Sequence, residues 1–258
     1  METDDLRRYE AAIRRAEQQI SAGMEDRMDW SGVRTWEMMF KKILWRQLGE
    51  IEHKKILDFG SGLGITANHY AQRNDVTAVE PSDERIAGRR QDYPYHQICG
   101  TTEALKELQS EMFDVIFCHN VLEYVSDREE IMRQFARLLK PDGYISLVKH
   151  NRAGRVMQMT VLLNDFDHAN SLLDGKDSTA SEFGTIRYYE DGEITGWCGD
   201  LVIDKVMGIR TFWDLQQNQE IQEDPVWQQK MMDMEMRVAD MPEYRDIAFF
   251  HHLIIRKK

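Results

Sequence analysis

Lys55-Ile56-Leu57-Asp58-Phe59-Gly60-Ser61-Gly62-Leu63-Gly64, followed by Val79-Glu80, is the stretch that decides the fold. It reads as a buried strand, a glycine turn, a helix, a second strand and an acid at that strand's tip. Gly60, Gly62 and Gly64 let backbone approach a ligand where a Cβ would clash. Glu80 follows Gly60 by twenty residues, the spacing of a carboxylate that grips two ribose hydroxyls. The pattern implies an adenosine-containing cofactor.

Dinucleotide sites use G-x-G-x-x-G, in which the helix end meets a pyrophosphate. Here the spacing is G-x-G-x-G and Ile65 fills the sixth position. No Lys-Ser or Lys-Thr pair follows, which excludes a P-loop. Asp58 ahead of the turn suits a ligand carrying positive charge. S-adenosylmethionine, with its ammonium and sulfonium, fits better than NAD.

The chain of 258 residues is 42% hydrophobic, enough for one α/β domain with appended elements. It has no run of eighteen apolar residues, so no membrane span is expected, and the acidic first residues give no secretory signal. Cys99, Cys118 and Cys198 are scattered without metal-ligand spacing. Cys99 and Cys118 fall in strands expected to be buried, and all three read as reduced thiols of a cytoplasmic protein. The net charge of −12 argues against broad binding to nucleic acid or anionic membranes. Residues 214–246 hold nine acids against three bases, a solvated face, whereas Lys149, Arg152 and Arg155 cluster around His150.

Residues 4–22 are expected to form a polar helix and 34–48 an amphipathic one, with Trp36, Met39, Phe40, Ile43, Leu44 and Leu48 on one face. Strands are then expected at 55–59, 76–80, 95–99, 113–119 and 144–148. Helices at about 64–73, 82–91, 103–108 and 126–139 connect them, the last with a capping box at Ser126 and Glu129. Lys140-Pro141-Asp142-Gly143 reads as a turn. Apolar strands alternating with helices imply a parallel sheet covered on both faces. Residues 151–188 show no clear strand and read as an insertion. A helix near 190–197, a strand at 202–209, a Met-rich helix at about 225–240 and a last strand at 248–255 complete the chain. The expected organisation is a single domain: a helical cap (1–50), a cofactor-binding core (51–150), a substrate-side insertion (151–200) and C-terminal strands with a helix (201–258).

Asp58–Gly64, Glu80, Phe113-Asp114-Val115-Ile116, Val121-Leu122-Glu123-Tyr124-Val125 and Leu138-Leu139-Lys140-Pro141-Asp142-Gly143-Tyr144 together resemble class I S-adenosylmethionine-dependent methyltransferases. The resemblance covers roughly residues 55–150. It implies an α/β, three-layer Rossmann-like sheet in the order 3-2-1-4-5-7-6. Strand seven would be antiparallel, so 248–255 would insert between strands five and six. His119 through Val125, Asn151-Arg152-Ala153-Gly154, Asn164-Asp165-Phe166-Asp167 and Gly208 through Asp214 are similar to the SmtA/CmoM-like group, which includes tRNA 5-carboxymethoxyuridine methyltransferases. Those tRNA methyltransferases esterify a carboxylate on the wobble uridine. The resemblance implies cofactor contacts at Gly60, Ser61, Glu80, Thr101, Thr102 and His119. Where the group carries an arginine ahead of its first strand, this chain has Phe40, with Arg34 nearby.

In an open α/β sheet, ligands sit beyond the carboxyl ends of the strands. Gly60, Glu80, Gly100 to Thr102, His119 and Lys149 to Asn151 all fall there. The expected cofactor-binding set is Asp58, Gly60, Ser61, Gly62, Gly64, Glu80, Pro81, Thr101, Thr102 and His119. His119 is also the catalytic candidate, because a hydroxyl acceptor would need a base whereas a carboxylate would not. Asn120, Tyr124, Asn151, Arg152 and Arg210 are the substrate-binding candidates. Arg152, Arg155, Arg187 and Arg210 could each clamp an anion through paired N–H donors, and Arg210 is favoured because the end of strand six and the preceding insertion should roof the cleft. The acceptor is then a small molecule or a tRNA anticodon. Small-molecule O- or N-methyl transfer, and S-adenosylmethionine binding without catalysis, are the alternatives.

Overall fold

In the computed structural model, residues 30–180 and 184–258 are described. The chain divides into two units, Met1–Val33 and Arg34–Lys258, and the sheet lies in the second. The helix expected at 4–22 lies outside the described residues.

Seven strands form one sheet in the order β3-β2-β1-β4-β5-β9-β8, the order the resemblance implied. They are β1 (Lys55–Phe59), β2 (Asp75–Glu80), β3 (His96–Cys99), β4 (Phe113–His119), β5 (Leu139–His150), β8 (Leu201–Ile209) and β9 (Phe250–Lys257). The first five are parallel, and β9 runs antiparallel to both β5 and β8. The central strands are apolar on both faces because both are covered, as parallel sheets require. Leu57, Ile116, Cys118, Leu147 and Leu253 pack beneath α5 (Arg128–Leu138) and α8 (Glu193–Trp197). The other face carries Asp58, Phe117, His119, Ser146 and His252, and meets α1 (Thr35–Leu48) and α2 (Ile65–Ala71).

On α1, Met39, Phe40, Ile43, Leu44 and Trp45 are buried, and Gly49 ends the helix at φ +69°. Trp36, expected on the buried face, is 40% exposed, because its ring lies one turn ahead of the core and carries an arginine instead. The helix after β2 is shorter than 82–91: α3 spans Asp83–Ala87, capped by Ser82. α4 spans Thr102–Lys106.

Several expectations need correction. The capping box at Ser126 does not form. Asp127 holds the N-cap position of α5 without a side-chain bond, and Arg128 instead donates Nε–H to the Leu122 carbonyl at 2.6 Å. The Lys140–Gly143 stretch is no separate turn. It bulges within the long β5, where the register with β4 jumps between Phe113 and Val115. Cys99 is exposed, because β3 is the sheet's edge strand. The last strand begins two residues later than expected and runs on to Lys257.

The described residues of the insertion hold helices and a strand pair, where no clear strand was expected. They form α6 (Arg152–Val161), α7 (Phe166–Leu173) and a hairpin of β6 (Ser178–Ala180) with β7 (Gly184–Ile186). Asn151 and Asp165 cap the two helices by accepting from the Ala153 and His168 amides. The Met-rich helix α9 (Pro225–Val238) starts from an Asp224 cap with proline in its first turn. α10 spans Pro242–Arg245.

Gly154 shows how tightly α6 seats. A Cβ there would overlap the Ala248 carbonyl and stand 2.6 Å from Phe249 Cα. Glycine normally weakens a helix relative to alanine. Gly154→Ala is expected to do the reverse and lower stability by about 1–3 kcal/mol through overpacking. Chemical denaturation checks this, and an equal or higher midpoint would contradict the close seating.

Candidate functional site

β1 stops at Phe59 because the chain must turn sharply. The Gly60 and Ser61 amides both donate to the Val79 carbonyl, at 2.8 and 3.1 Å. Gly60, Gly62 and Gly64 take φ of +77°, +56° and +71°, the left-handed region that glycine alone enters without strain. A Cβ on Gly60 would overlap the Val121 side chain, and one on Gly64 the Tyr95 hydroxyl. Gly62 has nothing within 4 Å on that side, so bare backbone faces open space. Glu80 joins the two halves of the motif. Its carboxylate accepts from the Gly62 amide at 2.9 Å and the Ser82 amide at 3.1 Å. It is 4% exposed, whereas Pro81 beside it is exposed. Thr102 is buried and Thr101 exposed at the start of α4, where the Gly100 amide donates to the Glu80 carbonyl. The first three strand ends thus meet at one place.

Asp58 lies beneath this turn, buried, with Oδ2 lacking any partner. Burial pushes its carboxyl up to about 6, restrained by the Lys41 charge and the Ala67 amide. Lys41 comes from α1 and donates to Thr66 Oγ1 at 2.8 Å. Burial lowers its ammonium, and Asp58 opposes the shift. His119 closes β4 on the same sheet face. Burial first, then the Lys41 charge, hold its imidazole well below the usual histidine range, so it is neutral. Its Nε2 lies 2.9 Å from Ser146 Oγ, and its Nδ1 is buried without a partner. Lys41 escaped the sequence reading. The visible signal was a lysine one position past Phe40, set among the apolar residues of α1.

Beyond β4 the chain turns through Asn120 at φ +56°, whose Oδ1 is also buried without a partner. The Tyr124 hydroxyl lies 3.3 Å from His150 Nε2 at the end of β5. Glu123 is fully buried and accepts from the His150 amide at 2.6 Å, and burial lifts its carboxyl to about 7.

Three substrate-binding candidates have their polar groups engaged within the chain. Asn151 Nδ2 donates to the Asp246 and Ala248 carbonyls at 2.9 and 2.8 Å. Arg152 donates to the Leu172 and Lys176 carbonyls and lies over the Tyr188 ring. Arg210 is 5% exposed, bound through Nε and Nη2 to Asp214, and enclosed by the rings of Trp36, Phe249 and Phe250. Its Nε and Nη2 donors are turned to a carboxylate within the chain. Its own φ is +62°, and Glu235 fixes the following turn by accepting from the Thr211, Phe212 and Trp213 amides.

Arg155, one turn into α6, keeps part of its guanidinium unpartnered. One Nη bonds Gln158 Oε1, while Nε is buried without a partner. Gln158 in turn donates to Asp214 Oδ1 at 3.0 Å. Phe249 lies under the Arg155 guanidinium, and the Tyr124 and Tyr188 hydroxyls are near enough to bear on its charge. A hollow of about 500 Å³ between Arg133, Arg137, Asp200 and Lys257 lies at the opposite end of the strands, where β8 begins and β9 ends.

Asp214→Ala would leave the Arg210 guanidinium buried without its counter-charge. It is expected to cost about 3–5 kcal/mol, read by urea unfolding. A loss under about 1 kcal/mol, the range of an exposed pair, would contradict a scaffold role for Arg210.

Residues 57–147 match the family model described as a methyltransferase domain. The ubiquinone biosynthesis O-methyltransferase of Pseudomonas entomophila (strain L48) is 33% identical over 117 residues, 42% of this chain and 50% of that protein. The chain thus spans about half the length of the curated relatives it matches. Among solved structures, an S-adenosylmethionine-dependent methyltransferase from Mesorhizobium loti superposes with a TM-score of 0.53 at 13% identity, covering 87% of this chain and 99% of that one. A Pyrococcus horikoshii OT3 protein gives a TM-score of 0.57 at 10% identity, covering 93% and 99%. Residues 57–147 thus match a methyltransferase domain, and the sheet described above has the Rossmann-like fold of these solved structures.

Proposed function

We propose that this domain transfers a methyl group from S-adenosylmethionine to an anionic oxygen. The observation that carries the reading is the gathering of Asp58 Oδ2, Ser61 Oγ, His119 Nδ1 and Asn120 Oδ1 at neighbouring strand ends, each buried and unpartnered. Buried polar groups are almost always bonded, so such a cluster calls for a polar ligand. The residues suit this cofactor. Lys41 faces a carboxylate and Asp58 an ammonium. Glu80 takes ribose hydroxyls over the bare backbone of Gly60 and Gly62, and Thr101 and Thr102 edge the adenine. The sulfonium supplies an electrophilic methyl group.

The chain's part is to hold the acceptor oxygen in line and keep water out. Arg155, with a donor to spare, orients an anion among the Tyr124, Tyr188 and Phe249 rings. An ionised acceptor brings its own nucleophile, so the neutral His119 need not remove a proton. The acceptor favoured by the SmtA/CmoM-like motifs is the carboxylate of a modified tRNA wobble uridine. A phenolic oxygen on a small aromatic acid is the second reading, supported by the names of the O-methyltransferase relatives. Free cysteines suit a reducing, cytoplasmic setting.

Labelled S-adenosylmethionine, incubated with tRNA bearing the free carboxylate and in parallel with hydroxylated benzoates, tests the proposal. Transfer to tRNA alone selects the first reading, transfer to the benzoates alone the second, and transfer to neither removes both. Arg155→Met is expected to raise the acceptor KM roughly 10- to 100-fold, the worth of a charged hydrogen bond, with S-adenosylhomocysteine affinity unchanged. Equal loss of both would contradict its assignment.

Asp58 sets a pH dependence. Its carboxyl titrates at about 6, and only the ionised form attracts an ammonium. Affinity for S-adenosylhomocysteine should therefore rise as pH climbs through 6 and fall as pH drops below it. Titration calorimetry between pH 5 and 7.5 reads this, and Asp58→Asn should weaken binding and flatten the profile. A steep profile that persists in the variant would contradict it.

A further inference from the structure

A chain of hydrogen bonds runs across the sheet from α1 to the cleft. Gln47 Nε2 donates to the Gly208 carbonyl at 2.8 Å. A carbonyl can only accept, so this contact fixes the amide's orientation and leaves Gln47 Oε1 as an acceptor. His252 Nδ1 lies 2.8 Å from that oxygen and must carry the hydrogen. His252 is fully buried and its imidazole is held down to about 3, so the ring is neutral and its Nε2 is a bare acceptor. Ser146 Oγ, 2.8 Å away, must then give its single hydrogen to His252. The serine oxygen accordingly accepts from His119 Nε2 at 2.9 Å. A neutral imidazole with hydrogen on Nε2 has none on Nδ1.

We propose that Gln47, His252 and Ser146 are positioning residues that lock His119 in one tautomer, so that its bare Nδ1 receives an N–H from the ammonium of the S-adenosylmethionine amino-acid end. The assignment of this ligand rests on the methyltransferase reading above. The direction of every bond follows from the Gly208 carbonyl once both rings are neutral. The chain ends in an amide that can neither take nor release a proton, so it orients the ring and does not conduct. At the cleft, Nδ1 offers a lone pair on the sheet face that also holds Asp58 and meets Lys41. An anionic acceptor would be repelled by that lone pair. The donor that S-adenosylmethionine brings to this end is its ammonium, and Lys41 is left for the carboxylate.

The test has two parts on the whole chain. Long-range proton–nitrogen correlation spectra of histidine-labelled protein at neutral pH report both rings. His119 should show hydrogen on Nε2 and His252 on Nδ1, opposite tautomers. Hydrogen on His119 Nδ1 would overturn the proposal. Calorimetry then compares S-adenosylhomocysteine with 5′-methylthioadenosine, which lacks the amino-acid end. Ser146→Ala should weaken the first roughly tenfold, the worth of one hydrogen bond to a charged group, and leave the second unchanged. Ser146→Thr, which keeps the hydroxyl, should restore it. Equal loss for both ligands, or for neither, would overturn the positioning role. If the unaltered chain binds neither nucleoside, the methyltransferase reading fails and the ligand assigned to Nδ1 fails with it. The spectra still report whether the lock exists, so the two failures are distinct.

Discussion

A buried polar atom without a partner costs roughly 1–3 kcal/mol, and this fold keeps four of them together where β1 and β4 end. Asp58 is the most demanding. Ionised, it is a charge beneath a glycine turn; protonated, it loses its hold on Lys41. Burial raises its carboxyl to about 6, and the Lys41 charge opposes the shift. Much of the surrounding structure exists to hold this arrangement in place. Glu80 clamps the turn above it through Gly62, Lys41 reaches in from α1, and the Gln47–His252–Ser146 chain orients His119 from behind.

The far side of the cleft follows another logic. Arg210 binds Asp214, Asn151 ties the start of α6 to the segment ahead of the last strand, and Arg152 ties α6 to the end of α7, while Arg155 keeps a buried Nε without a partner. Arg155, Gln158, Asp214 and Arg210 form one connected network. A side chain held through such a network keeps its direction when a ligand arrives. Preorganisation of this kind lowers the entropic cost of binding.

The sequence made the core legible because its signals were local. The bounds expected for β1 and β4 hold to the residue. The glycine turn, the acid at the tip of β2 and the inserted final strand all stand where the motifs put them. Other features depend on partners distant in sequence. Gly154 looks like a helix breaker but is the contact that seats α6. Cys99 reads as core until β3 is known to be the edge. Arg210 reads as a clamp until Asp214, one helical turn on, is seen to occupy it. Lys41 belongs to an apolar helix face, and only the sheet beneath reveals what its charge meets.

The central claim is that a sulfonium nucleoside lies over Gly60 and Gly62 with its ribose on Glu80 and its amino-acid end among Lys41, Asp58 and His119. A crystal structure with bound S-adenosylhomocysteine tests it most directly. The account predicts both ribose hydroxyls on the Glu80 carboxylate, the ligand carboxylate on Lys41 and the ammonium between Asp58 and His119 Nδ1. A ligand seated elsewhere, or one whose amino-acid end points away from Lys41 and Asp58, would contradict it.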